Sequence, residues 1–560
     1  MSTEIDRRTF VSGAAAVAGA AALSPLLTAC GGSDTTGSKG GTSSKKGLKA
    51  ALPAHVAGTA VKPDIPSVKG AVGTVTAPGY LNYPTNQVKT VSGVPGKGGT
   101  YTAIVPSFGA VPDPGNSFSR AMNKALGVNL KMKPTDGINY GSIVPTMTAA
   151  KKLPDWIQLP TWYRTINVGG LVGTQLADLT PYLSGDKIKQ YPNLAAIPTG
   201  GWANAAWEDK IYGIPCFASG FALPGTTFFR RDILEAKGIT ADDVKSADDL
   251  YNLGKELTDA KGKVWAFDDI WTYASPFWGV PFKFAVTDGK LVHKYETDEL
   301  LEALDWHHKL AKSGFMHPDA LAGNNGSGKT RFYAGHTLIA GDGLGAWNLG
   351  DDQTGTAASK GYRRGAFNIF AADGKSTPST FLNPNTTIVS YLNARLSKAQ
   401  ILELLEVANY LAAPFGSAEY TMVNYGVEGT HYTMVDGVPT ANEAGKKYVA
   451  NSGYSALASP SSIASNLGAD QVTKDYCAWT AAAAQHVYKP VFLNMNITVP
   501  KRFAVADAGQ AVEDAIKDCY HGIKKVSDVQ AAISSWKSSG GTQMIQWHSD
   551  NVLAKFGSGQ

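Results

Sequence analysis

Between Gly98 and Leu159 the chain alternates two hydrophobic periods, and few folds accommodate that alternation. After Gly98-Gly99, the residues Tyr101, Ala103 and Val105 share one face of an extended stretch. A helical pattern covers 116–126, with Gly127 placed as its stop. Val128 to Met132 is again strand-like, a second helical pattern runs to Lys152, and Asp155-Trp156-Ile157-Gln158-Leu159 is a third short strand. Strand, helix, strand, helix, strand is the rhythm of an α/β layer with parallel strands. The mixture resumes at Thr226–Phe229, followed by a short helix closed by Gly238 and a second helix opened by Ser246 with Asp249 three residues on. Residues 298–313 carry Leu300, Leu304, His308 and Ala311 at helical spacing before Gly314. The C-terminal third reads as mostly helical. In 560 residues, this pattern implies more than one core.

The N-terminus points to export. Arg7-Arg8 precedes an Ala/Gly/Val run and then Leu27-Thr28-Ala29-Cys30, a charged start, an apolar stretch and a small-residue cleavage point. The paired arginines resemble a twin-arginine signal, and Leu-Thr-Ala-Cys resembles a bacterial lipobox, which would acylate Cys30. Residues 31–96 are rich in Gly, Ser, Thr, Lys and Pro, a composition that buries too little to fold alone, so a flexible tether is expected there. A cell-membrane location follows, lipid-anchored on the extracytoplasmic side. The net charge of +5 is scattered rather than clustered, which argues against a nucleic-acid partner.

Several motifs invite chemistry and lack its context. Residues 323–330 read GNNGSGKT, the letters of a phosphate loop, but such a loop follows a buried strand. Here Gly314 and Pro318 precede it, so a mobile turn is expected, and Lys329→Ala is expected to leave solute binding unchanged. His307, His308 and His317 form the densest histidine group, yet adjacent histidines on a helix point about 100° apart, and no metal is assigned to them. There is no GxSxG elbow. Asp342 and Glu428 are candidate glycosidase carboxylates that nothing in the sequence pairs. Beyond Cys30, Cys216, Cys477 and Cys519 remain, of which the last two could pair or simply fill apolar space.

The aromatic residues are the strongest functional signal: 12 Trp, 23 Tyr and 20 Phe exceed what core packing usually needs. Sugars present apolar C–H faces edged by hydroxyls, which suits flat rings beside polar groups. Trp162-Tyr163-Arg164 follows the Asp155 strand, where ligands of α/β layers sit. Trp271, Trp278 and Trp347 fall in loop-like settings. For each of them core packing is an equal alternative.

A set of ordered landmarks carries a family resemblance. Leu153-Pro154-Asp155-Trp156-Ile157, Ala177-Asp178-Leu179-Thr180-Pro181-Tyr182-Leu183, Lys210-Ile211-Tyr212-Gly213-Ile214-Pro215 and Phe229-Arg230-Arg231-Asp232 resemble segments of the sugar-binding solute-binding proteins of ABC importers. Phe332-Tyr333-Ala334-Gly335-His336 is similar to a further helical element of that family. The run 424–432, containing Tyr425, Glu428, His431 and Tyr432, resembles the branch assigned to oligogalacturonate and alginate-type oligosaccharides. That branch often carries a calcium loop; the corresponding residues 258–265 offer too few oxygens, so none is expected.

The resemblance implies an α/β, two-lobed periplasmic-binding-protein-like fold with multiple hinge crossovers, near 217–226, 372–385 and 415–430. It implies an export signal over 1–30 and a tether over 31–96. Lobe 1 would comprise 97–220 and 380–425, and lobe 2 would comprise 221–379 and 426–560. It further implies a monomeric binding protein rather than an enzyme, without cofactor, whose partners are an oligosaccharide, the transmembrane subunits of an ABC permease, and the membrane through Cys30. Trp162, Tyr163, Arg164, Trp271, Trp278, Trp347, Tyr425, Glu428, His431 and Tyr432 are the expected ligand contacts, with Glu428 alternatively bracing the hinge. A secreted carbohydrate-active enzyme and a binder of peptides or another solute are the competing readings.

Overall fold

The computed structural model describes residues 45–58 and 60–558; the export signal and Cys30 lie outside them. A five-stranded sheet forms the first lobe, in the order Asn129–Asp136, Thr100–Ser107, Trp156–Pro160, Ile388–Leu392, Gly213–Cys216. The first three strands run parallel. Ile388–Leu392 is antiparallel to both of its neighbours, so Gly213–Cys216 runs with the first three. Alternation along each strand feeds two cores. Tyr101, Ala103, Val105 and Trp156 enter one, while Ile104, Ile157 and Leu159 enter the other. Trp156 is fully buried and its indole N–H donates to Ser390 Oγ at 2.9 Å, satisfying the only polar atom such a ring brings inside.

Helix boundaries follow local chemistry. Asn116 caps Ser117–Leu126 by accepting from Ser119 N, and Gly127 closes it at φ 66°, a conformation that costs glycine little. Ser246 caps Ala247–Leu257 through Asp249 N.

The second lobe holds a four-stranded sheet in the order Arg364–Ala366, Thr226–Arg230, Thr337–Asp342, Trp265–Phe267, the last two parallel. Phe228, Phe267, Ile339 and Phe367 fill its core. A helical annex built from Asp298–Lys312, Gln510–Tyr520 and Val526–Trp536 has its own core around Leu304, Ile516 and Trp536.

The chain passes from the first sheet to the second over 217–225 and returns over 367–387, at the segments expected. The third passage differs. Val449, Tyr454, Leu457 and Ala458 still pack in the first lobe, and the chain reaches the second core only with the helix Asp470–Ala483. Residues 426–458 therefore belong with the first lobe rather than with lobe 2, and the crossing lies near 459–469 instead of 415–430.

The tether expected over 31–96 is packed chain from residue 45 onward. Ala51 enters the first core, and Val56 N bonds Ala195 O at 2.9 Å. The chain then reaches the second lobe, where Ala71 lies on that core and Lys69 O accepts from Gln485. Val75 N meets Gly220 O in the first passage, and Gly79–Tyr80 pairs with Ala464–Ser465. Tyr80 and Tyr83 pack on Phe415, and Val91 returns to the first core. The segment has too few apolar residues for a core of its own, but Ala51, Tyr80, Tyr83 and Val91 among them pack on a neighbour's surface. It is a strap across the hinge.

Cys216, Cys477 and Cys519 are free and buried. Among the described residues no helix is long and apolar enough to cross a membrane.

Candidate functional site

The four like-directed strands of the first sheet all end at one edge, and the register keeps those ends level. Ser107 stands opposite Asp136, and Ile388 stands opposite both Pro160 and Cys216. Just beyond each end a large apolar side chain faces solvent: Phe108 is 71% exposed, Ile138 84%, Trp162 47% and Phe217 44%. Large apolar residues are usually buried, and four on one sheet edge make a surface that needs a partner. In open α/β sheets that edge is where ligands bind. Phe217 holds a left-handed φ of 52° while its N–H donates to Ser459 Oγ at 2.6 Å, so the third passage fixes its position. Tyr163 packs partly into the lobe and donates to Gly137 O at 2.6 Å; its ring lies 5.8 Å from that of Trp162. Arg164 is exposed beside them.

The second sheet presents polar groups at the corresponding ends of its two parallel strands. Asp268 and Asp269 follow Trp265–Phe267, and Asp342 ends Thr337–Asp342. With Tyr273, Asn325, Lys329 and Arg364 they line a cavity of about 200 Å³. Asp268 forms a bidentate, buried pair with Arg331 at 2.7 and 2.9 Å. Burial opposes ionisation of Asp269, but His521, the Trp271 N–H and the Asn325 amide hold its carboxyl below the usual range. Burial, then the charges of Asp342 and Asp269, push the Tyr273 phenol up. The first passage ties the two edges together. It leaves from Phe217 and ends at Gly225, where a Cβ would collide with the Asp342 carbonyl and the Tyr273 ring.

GNNGSGKT lies on this cavity. The residues before it form the short helix Pro318–Leu321, not a strand, and Gly328 opens the six-residue helix Gly328–Tyr333. The stretch is nonetheless more than a turn, because Asn325, Gly328 and Lys329 form part of the wall.

The remaining expected contacts scatter. Trp347 is buried in the second core against Phe228 and Trp479. Trp271 stacks on Tyr520 with centroids 5.1 Å apart, and Trp278 packs on Trp306; both enclose His307. Tyr425 joins the Tyr83 cluster, and Tyr432 is buried beside it. His431 is fully buried, its Nε2 2.9 Å from Ser117 Oγ and its Nδ1 accepting from Val427 N. Trp347, His431 and Tyr432 are buried, Trp271, Trp278 and Tyr425 are half-buried, Trp278 on the wall of a further cavity, and of the four residues expected in the run 424–432 only Glu428 is exposed. The strand-end rule that selects Trp162 also selects Phe108, Ile138 and Phe217, which the aromatic count passes over. Among the described residues no group of His, Cys, Asp and Glu is arranged to hold a metal. In residues 258–265, Asp259 Oδ1 instead accepts from Gly262 N and the loop closes through an Asp259–Val264 bridge.

No family model matches the chain. It is 22% identical over 357 residues to lipoprotein LipO of Bacillus subtilis (strain 168), covering 59% of this chain and 66% of that one. It is 24% identical over 271 residues to the polygalacturonan/rhamnogalacturonan-binding protein YtcQ of the same organism, covering 44% and 51%. The chain thus spans half to just under two thirds of the length of these curated relatives. Among solved structures, the alginate-binding protein AlgQ2 without calcium ion superposes with a TM-score of 0.56 at 14% identity, covering 81% of this chain and 98% of that one. The N-glycan transport solute-binding protein NgtS of Streptococcus pneumoniae gives 0.56 at 15%, covering 82% and 99%. An ABC-transporter-associated solute-binding protein of Bifidobacterium longum infantis gives 0.57 at 12%, again covering 82% and 99%. Nearly all of each neighbour is matched by about four fifths of this chain, so this chain carries additional sequence. The chain has the two-lobed fold of the ABC solute-binding proteins.

Proposed function

We propose that the chain is the lipid-anchored, extracytoplasmic substrate-binding component of an ABC importer. It captures an oligosaccharide between the carboxyl ends of its two sheets and delivers it to a membrane permease. The observation that carries this reading is the exposed apolar edge of Phe108, Ile138, Trp162 and Phe217 at the strand ends of one lobe, together with a polar cavity at the strand ends of the other. Apolar platforms match the C–H faces of sugar rings, and polar groups match their hydroxyls. The names of the relatives support the ligand class: YtcQ is a polygalacturonan/rhamnogalacturonan-binding protein and AlgQ2 an alginate-binding protein. LipO, a lipoprotein, supports the role of Cys30.

The reading requires no covalent step and no cofactor. A ligand that touches both lobes has greater affinity for the closed arrangement and so shifts the population towards it, which is the signal a permease would read. The chain acts as a monomer in this scheme. A thermal-shift screen against neutral and acidic oligosaccharides tests it, since a ligand at a hundred times its Kd adds about 2.7 kcal/mol. Trp162→Ala and Phe108→Ala should each weaken the best ligand by about tenfold, or about 1.4 kcal/mol. Wild-type affinity in both variants would remove the edge from the site, and release of sugar products would favour an enzyme. Cys30→Ala should move the protein out of the membrane fraction.

A further inference from the structure

Arg364 is held on every side but one. Its Nε donates to Tyr362 Oη at 3.2 Å, its Nη2 donates to Asp351 at 2.8 Å, and its guanidinium lies over the Phe228 ring at 4.5 Å. The side chain is 4% exposed, yet Nη1 makes no hydrogen bond. Arg364 lines the second-lobe cavity, where Nη1 stands 3.6 Å from Asp342 Oδ2. That is too long for a hydrogen bond, and a buried donor without an acceptor is rare. Lys329 Nζ approaches the same carboxylate oxygen from the exposed side at 3.4 Å. The other oxygen of Asp342 is occupied, since it accepts from Gly343 N at 2.8 Å.

One acceptor therefore stands between two donors, each slightly out of reach. A hydroxyl both donates and accepts, so a single O–H placed here would donate to Asp342 and accept from Arg364 Nη1 or Lys329. An anion could use only the two cations and would face Asp342 itself. The wider charge balance points the same way. Arg331 neutralises Asp268 and Asp351 offsets Arg364, while Lys329 matches Asp342. Asp269 is left as the surplus charge on the wall, with His521 Nε2 3.5 Å from it. A carboxylated sugar would enter against that charge.

We propose that Asp342, Lys329 and Arg364 form a hydroxyl-reading subsite on the second lobe that selects a neutral sugar unit over a uronate. The proposal rests on the oligosaccharide-binding reading above and adds the charge class of the ligand. It also gives the GNNGSGKT stretch a role, which is to carry Lys329 to the cavity rather than to cradle phosphate. Lys329→Ala, expected from the sequence alone to be silent, should then weaken binding.

The test is isothermal titration of the mature chain with two series of probes. One is neutral, built of hexose and N-acetylhexosamine units, and the other is built of uronates. The neutral series should bind at least about tenfold more tightly. Asp342→Asn, which keeps shape and removes charge, should weaken the best neutral ligand about tenfold, and Lys329→Ala about threefold or more. Melting curves accompany both variants. If Asp342→Asn does not fold, Lys329→Ala decides the matter, because its side chain is 56% exposed and carries little of the fold. Uronates binding as tightly as neutral sugars, or unchanged affinity in the variants, would overturn the subsite while leaving an oligosaccharide-binding protein. Binding of neither series would overturn the functional reading and the subsite together.

Discussion

His431 Nε2 lies 2.9 Å from Ser117 Oγ, which joins the loop after Asn424 to the first turn of the helix Ser117–Leu126. A residue expected at the ligand is thus a staple inside the first lobe. His431→Ala would strand Ser117 Oγ and Val427 N and leave a cavity beside Phe118. It should cost about 2–3 kcal/mol in a urea melt while leaving sugar affinity within about twofold. Lost affinity with unchanged stability would return His431 to the site.

The buried histidines set a pH limit on stability. Burial lowers His307 to about 4 and His293 to about 2, and it also lowers His431 and His548. A folded pKa below the unfolded value of about 6.5 means that the unfolded chain takes up protons which the folded chain refuses. Stability is therefore complete above about pH 6.5 and declines as pH falls through that value. At pH 5.5 His293 and His307 should each account for about 1.4 kcal/mol. Asp155, Asp269 and Glu403, whose carboxyls are held low, add a second loss only below about pH 4. Melting temperatures measured from pH 8 to pH 4 that stay level between 7 and 5 would contradict this assignment.

Asp268 and Arg331 are each 5% exposed and doubly hydrogen-bonded. Asp268→Asn leaves a buried guanidinium without its counter-charge, at a cost of about 3–5 kcal/mol in chemical denaturation. A loss below about 1 kcal/mol would mean that water reaches Arg331.

Glu419, buried at 4% exposure, accepts from Thr90 N and Val91 N, both at 3.1 Å, and so pins the returning end of the strap. Glu419→Ala should cost about 1–3 kcal/mol and expose Lys89 and Lys97 to trypsin under native conditions. A digestion pattern identical to wild type would show that the strap is held elsewhere.

The alternation of periods between Gly98 and Leu159 makes the parallel strands legible, because one face of each must be buried. Which core a later helix joins is a different matter. Val449, Tyr454 and Leu457 are apolar in either lobe, so the sequence pattern misplaces the third passage by some forty residues. The strap is missed for a related reason, since composition reports whether a segment can bury itself, not whether its neighbours will bury it. In the site, Trp162 is found by its place after a strand. Trp347, His431 and Tyr432 show that a ring in a Gly-rich run can be packed as tightly as one in a helix. Asp342, Lys329 and Arg364 lie up to 35 positions apart, and only the pairing of Thr337–Asp342 and Arg364–Ala366 on either side of Thr226–Arg230 brings them to one wall.

The strap also shortens the reach of the molecule. Ala51 lies in the first core, and the twenty residues between Cys30 and Ala51 could reach at most about 70 Å even at full extension. A free segment over 31–96 could extend to about 220 Å. With a lipid on Cys30, the cleft would work within a thin layer over the bilayer. Its encounter with a permease would then be a search across a surface at high local concentration, not through a volume.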